Sequence, residues 1–184
     1  FPIFWPYLIS ELGMTESQLG MVTAFYFMPV AILAIIIGRA LDKYSVKNFM
    51  MIGAIIYAVG LFSLSFINSY WSLLTIYLTI LALGSIMMGN LAVSKLISNW
   101  FDKNAGRALG ISAVGISFSG VVLPLVVDPL IDLVGWRNVY VIFASVILFI
   151  ILPLIFFTVI DNPKTVNQVK DLSLIHISEP TRPR

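Results

Sequence analysis

Leu19-Gly20-Met21-Val22-Thr23-Ala24-Phe25-Tyr26-Phe27-Met28-Pro29-Val30-Ala31-Ile32-Leu33-Ala34-Ile35-Ile36-Ile37-Gly38 runs for twenty residues without a charge, and Arg39-Ala40-Leu41-Asp42-Lys43 ends it. At about 1.5 Å of rise per residue, a helix of that length crosses the ~30 Å of hydrocarbon in a bilayer. Four further stretches of the same kind follow, at 48–67, 72–94, 108–131 and 138–160. None shows the apolar–polar alternation of a barrel strand. Upstream, Phe1 to Ile9 reads as the last turns of an earlier helix cut short by truncation. The expected fold class is therefore an all-α integral membrane bundle, with a helix 1 remnant at 1–9 and the five spans as helices 2 to 6.

Composition supports lipid as the solvent. Of the 184 residues, 59% are hydrophobic and 11% charged, where a soluble domain has ~25% charged and ~45–50% apolar residues. Mean hydropathy is +0.98. There is no cysteine, so neither a disulfide framework nor a cysteine-based metal site arises. The glycine spacings Gly84–Gly89 and Gly110–Gly115–Gly120 fit no phosphate loop, and no Lys-Ser/Thr follows them. No nucleophile–base pair or histidine–carboxylate cluster is present, so no catalytic residue, metal or cofactor is expected. A net charge of +2 gives no reason to expect a nucleic-acid partner. The partner that composition implies is the lipid bilayer.

The carboxyl end stands apart. Leu172-Ser173-Leu174-Ile175-His176-Ile177-Ser178-Glu179-Pro180-Thr181-Arg182 resembles, over eleven consecutive residues, the translation of a common transposase sequencing adapter. We therefore expect 1–170 to be the transmembrane bundle and 171–184 to be non-native, which removes the one histidine, His176, from consideration.

Charge placement orients the bundle. Connections 10–18, 68–71 and 132–137 fall on one side; 39–47, 96–107 and the segment after 160 fall on the other. The second side carries Arg39, Lys43, Lys47, Lys95, Lys103, Arg107, Lys164 and Lys170; the first carries Arg137 alone. Eight against one in short loops puts the second side in the cytoplasm, and a plasma or inner membrane is expected.

Within the spans, Gly106, Gly110, Ala113, Ser117 and Gly120 recur at spacings of 4, 3, 4 and 3 in helix 5. Small residues so spaced share a face and let another backbone approach, either as static packing or as a contact that slides. Asp128 is the one acid inside a span, close to its outer end, with Asp132 on the same face; it reads as an interfacial acid or as a carboxylate at an outer mouth. Asn90 in helix 4 and Tyr26 in helix 2 either line a polar pathway or bond a neighbouring helix, because a polar group in lipid needs a partner. Lys95, at the inner end of helix 4, is expected to snorkel.

The loop Gly38-Arg39-Ala40-Leu41-Asp42-Lys43-Tyr44-Ser45-Val46-Lys47 resembles the signature loop of the major facilitator superfamily, which runs Gly-x-x-x-Asp-Arg/Lys-x-Gly-x-Arg/Lys. Gly38, Asp42, Lys43 and Lys47 match; Ser45 replaces the usual glycine. Asn99-Trp100-Phe101-Asp102-Lys103-Asn104-Ala105-Gly106-Arg107-Ala108-Leu109-Gly110 resembles the helix 4–5 junction of the oxalate/formate antiporters and monocarboxylate porters, and Gly135-Trp136-Arg137 the start of helix 6 in the same group. The resemblance implies the amino-terminal six-helix half of a twelve-helix secondary transporter, whose second half is a partner missing here. It implies alternating access for a small organic anion, by symport with a proton or exchange with a counter-anion. Sugars, sugar phosphates and drug-like molecules are the alternative substrates, and a non-transporting sensor on the same scaffold is the alternative role. It also implies that Asp42 meets the positive end of a helix from the other half as an inner latch, rather than only capping helix 3. Asp102, Lys103 and Arg107 would belong to the same inner region.

Overall fold

The computed structural model describes residues 2–101 and 103–162, and every element among them is helical. A single 3₁₀ turn, Pro2–Phe4, leads into α1 (Trp5–Leu12). Five spanning helices follow: α2 (Glu16–Leu41), α3 (Val46–Leu64), α4 (Tyr70–Trp100), α5 (Ala105–Val134) and α6 (Trp136–Thr158). They correspond to the five expected spans, each with shifted ends. The expected non-native segment 171–184 lies outside the described residues.

Local chemistry sets those ends. Thr15-Glu16-Ser17-Gln18 is a capping box: the Gln18 backbone N–H donates to the Thr15 hydroxyl and the Thr15 N–H to the Gln18 side chain. Ser69 forms a capping box with Ser72 at the start of α4, and the Ser45 hydroxyl alone caps α3. Gly13 (φ 63°) closes α1, and Gly135 (φ 80°) alone separates α5 from α6, a left-handed backbone that a side chain would strain. A capping side chain carries a helix back into polar sequence, which is why α2 starts at Glu16 rather than at Leu19.

α4 departs from the continuous span expected over 72–94. It carries a π-helical turn at Tyr77–Leu81. It then breaks at Gly89 (φ −86°, ψ −152°), where one helix ends at Met88 and another begins at Asn90. α6 has a π-helical turn at Ile147–Ile151.

Two apolar clusters hold the bundle, one towards each end. The first includes Leu8, Leu19, Val22, Leu64, Leu73 and Val139. The second includes Ile37, Leu41, Val46, Met50, Ala92 and Ile155. Between them α3 and α4 approach closely through glycine: a methyl group on Gly84 would lie 2.7 Å from the Tyr57 backbone nitrogen, and one on Gly53 would lie 2.7 Å from Met87 Cβ. Such contact supplies the dispersion energy that replaces a hydrophobic driving force in lipid.

The small-residue stripe of α5 makes no such contact. Gly106, Gly110, Ala113, Ser117 and Gly120 are all exposed. Space for a methyl group is open at each of its three glycines. Static packing against the described helices is thus not what this stripe does. Spacing reports that a face is smooth, and only tertiary structure reports what lies against it.

Candidate functional site

The connections gather at two ends as the parity of the spans requires. At the lysine-rich end, α2 runs out at Leu41 and leaves Asp42 at its carboxyl cap. Lys95, from the last half of α4, donates to Asp42 Oδ1 at 2.6 Å. Lys95 is therefore an ion-pair partner, not simply a snorkelling cation. Gly38 sits one turn above Asp42, and its nearest neighbour on α4 is Leu91. Gly38, Asp42, Leu91, Ser94, Lys95 and Ser98 border one small cleft between α2 and α4.

Asp42 does not cap α3. Ser45 does, its hydroxyl accepting from the Asn48 N–H at 3.2 Å. Ser45 has φ −60° and ψ 123°, a conformation open to any residue, so the position needs no glycine. A second acceptor serves the same helix end: Asp161, after α6, takes the Lys47 N–H on Oδ1 at 2.7 Å. Asn99 donates to the Asp161 carbonyl at 3.1 Å and Trp100 Nε1 to the Ile160 carbonyl at 2.7 Å. The Lys47 ammonium lies over the Phe156 ring, 4.8 Å from its centroid. Asp161 escaped the sequence reading, although an acid directly after the last span on the positive side was a visible signal.

Lys43, Lys103 and Arg107 are exposed, and Asp102 lies outside the described residues. The structure thus joins Asp42 and Lys47 to partners on α4 and α6, and leaves Lys43, Lys103 and Arg107 facing outward.

Within the spans, the Tyr26 hydroxyl hydrogen-bonds Ser85 at 2.6 Å and joins α2 to α4. The Tyr26 and Tyr77 rings meet edge to face at 6.0 Å. Thr23, Tyr26, Phe27, Tyr57, Tyr77 and Leu81 line a cleft here, polar through its hydroxyls in an otherwise apolar wall. Asn90 is exposed and begins the inner half of α4 at the Gly89 break. Asp128 is exposed in the last two turns of α5, with Asp132 one turn further on. Tyr26 and Asn90 are therefore not in one contact: the first is committed to a helix pair, the second opens outward.

At the opposite end Arg137 draws three connections together. It pairs with Glu11, donates to the Ile67 carbonyl at 3.5 Å, and its guanidinium lies 4.1 Å from the Trp136 ring centroid. The hydrogen bond from Arg137 holds the Glu11 carboxyl below its ordinary pKa. The pair was legible in principle, since Glu11 and Arg137 fall on the same side by parity.

The profile of the Major Facilitator Superfamily matches residues 1–181. An MFS-type transporter of Ophiocordyceps sp. (strain BCC 1869) is 28% identical over 152 residues, covering 82% of this chain and 34% of that protein. The Fujikurins efflux protein of Gibberella fujikuroi is 31% identical over 101 residues, 55% of this chain and 22% of that protein. A probable sulfoacetate transporter of Cupriavidus necator is 27% identical over 142 residues, 77% and 33%. The chain spans about a third of the length of the curated relatives it matches. No solved structure gives a significant match. With five apolar helices of membrane-crossing length packed as one bundle, the chain is an integral multi-pass membrane protein that belongs to the Major Facilitator Superfamily.

Proposed function

We propose that this chain is the amino-terminal half of a secondary transporter that moves a small organic anion by alternating access. The full-length protein would supply a second six-helix half, and a proton or counter-anion would couple the movement. The family match supports transport. The similarity to a probable sulfoacetate transporter supports an organic anion. The lysine-rich end is taken as cytoplasmic on the strength of the charge bias.

The observation that carries the mechanism is the Asp42–Lys95 pair. It holds the signature loop against α4 at the end where an inner gate must close. The carboxylate side chain remains two-thirds exposed, so it is free to meet the positive end of a helix from the other half. Rocking of one half on the other would make and break that contact. The unoccupied small-residue face of α5 is then the surface on which the second half slides. The break of α4 at Gly89 supports a polar pathway near mid-membrane, with Asn90 lining it, because interrupted spans are where transporter scaffolds bring polar groups into the bilayer.

The test is uptake into proteoliposomes carrying the full-length protein, with labelled monocarboxylates, oxalate and sulfoacetate offered in turn. Saturable uptake of one of these, stimulated by an inward proton gradient or by internal anion, is expected. Uptake of none of them, with binding of anions but no flux, sinks the transporter reading in favour of a sensor. The Fujikurins efflux protein supports a second reading, export of a larger drug-like molecule; flux of amphipathic dyes in place of anions would select it.

A further inference from the structure

Two and three residues beyond α6, the chain is tied down at three places. Asp161 Oδ1 accepts the Lys47 N–H, the Asp161 carbonyl accepts from Asn99, and the Ile160 carbonyl accepts from Trp100. The Phe156 ring under the Lys47 ammonium adds a fourth contact half a turn before α6 ends. Four segments thereby meet: the signature loop, the start of α3, the end of α4 and the exit of α6.

The first turn of a helix leaves its leading N–H groups without intrahelical partners. At the start of α3, Ser45 takes one of them, the Asn48 N–H, and Asp161 takes another, the Lys47 N–H. An anion there also meets the positive end of the helix dipole. Only three residues, 42 to 44, lie between the end of α2 and the Ser45 cap. Where α3 begins therefore sets where Asp42, Lys43 and Lys47 stand. Lys95 holds Asp42 from the α4 side; Asp161 holds Lys47 from the α6 side.

We propose that Asp161 is a positioning residue for the inner latch: it caps α3 from the segment leaving α6, and so holds the signature loop in the register from which Asp42 can engage the second half. The proposal rests on the latch reading of Asp42, and it assigns to the connection after α6 a role beyond linking two halves. It also implies that α3, α4 and the exit of α6 move as one body at this end.

Residue-resolved hydrogen exchange on the full-length protein tests the cap without any substitution. The Lys47 amide is expected to exchange roughly five- to tenfold slower than the Val46 amide after correction for intrinsic rates, the factor that one capping bond is worth. Equal rates overturn the proposal. Asp161→Ala should abolish that protection and lower the maximal transport rate several-fold at unchanged KM, with normal amounts in the membrane. Asp161→Asn keeps an acceptor oxygen at the same reach and should restore most of both. Lost protection with full transport would reduce Asp161 to a structural cap and overturn the positioning role. If Asp161→Ala does not accumulate, the unsubstituted protein and Asp161→Asn still decide it, since Asp161→Asn at the Val46 level of exchange would be contrary. Asp42→Asn run in parallel separates the two claims: normal uptake there sinks the latch, while the exchange data still judge the cap.

Discussion

Asp42, Ser45 and Lys95 show how much one loop position depends on its neighbours. The Asp42 carboxylate is exposed and Lys95 half-buried at the surface, so removal of the pair should cost the fold little, ~0–1 kcal/mol. Its effect belongs to the transport cycle. Asp42→Asn in the full-length protein is expected to slow transport while leaving membrane insertion intact, and Lys95→Ala should produce a similar defect. The double variant should be no slower than the worse single one, because each removes the same bond; additive losses in an uptake assay would show the two acting separately. Ser45 makes the converse point. Ser45→Ala removes the α3 cap and is expected to cost about 1 kcal/mol, whereas Ser45→Gly should cost only a few tenths. Thermal unfolding of the purified protein in detergent reads both. A glycine is common at this place in the family pattern, and serine serves here because the backbone is extended and the hydroxyl has an amide to bond.

At the scale of elements, the glycines divide sharply between the packed α3–α4 pair and the open face of α5. Gly84 faces the Tyr57 backbone, which cannot step aside, while Gly60 faces side-chain atoms of Leu81 and Ile80, which can shift further than backbone. Gly84→Ala should therefore destabilise the bundle by about 1–3 kcal/mol, and Gly60→Ala by less, since overpacking is costly where nothing can yield. Gly110→Ala on the open face of α5 should leave detergent stability unchanged and act, if at all, on transport. A thermal-shift series over the three variants checks the order; equal losses at Gly84 and Gly110 would mean that α5 packs elsewhere in the protein as tightly as α3 does on α4. The stripe on α5 and the glycines of α3 and α4 look alike as sequence. Their difference lies in what the fold sets opposite them. The break in α4 is of the same kind: Met88-Gly89-Asn90 permits an interruption, and the packing of Gly53 against Met87 and Met88 goes with it.

For the whole molecule, the clasp of Arg137 on Glu11 links the connections before α2, before α4 and before α6. The lowered pKa of Glu11 gives it a definite pH dependence. A carboxyl depressed on folding contributes stability that is fully present above its unfolded pKa and is lost as pH falls through the lower folded value. Stability should thus drop on acidification at and below the ordinary glutamate range, and Glu11→Gln should remove that part of the drop. Melting curves of both proteins over falling pH check it; identical acid sensitivity would place the titrating group elsewhere. The exposure of Glu11 keeps the effect small and sensitive to salt.

Membrane location, helix count and the pairing of loops at two ends follow from the amino-acid sequence by itself. Hydrophobic length, charge and parity are properties of the chain read in order, and each spans far more residues than any error in a boundary. Five residues of the signature loop, Gly38, Asp42, Lys43, Ser45 and Lys47, and Lys95 on α4 were visible as types. Their bonds were not. That Ser45 and Asp161 cap α3 while Asp42 turns to Lys95, that the stripe on α5 lies open, and that α3 closes on α4 through Gly53 and Gly84 were decided only by tertiary structure. The Asp42–Lys95 and Asp161–Lys47 bonds join residues 53 and 114 positions apart in the chain. No local pattern encodes such a distance, because which polar groups meet depends on how rigid helices rotate about their axes when they pack.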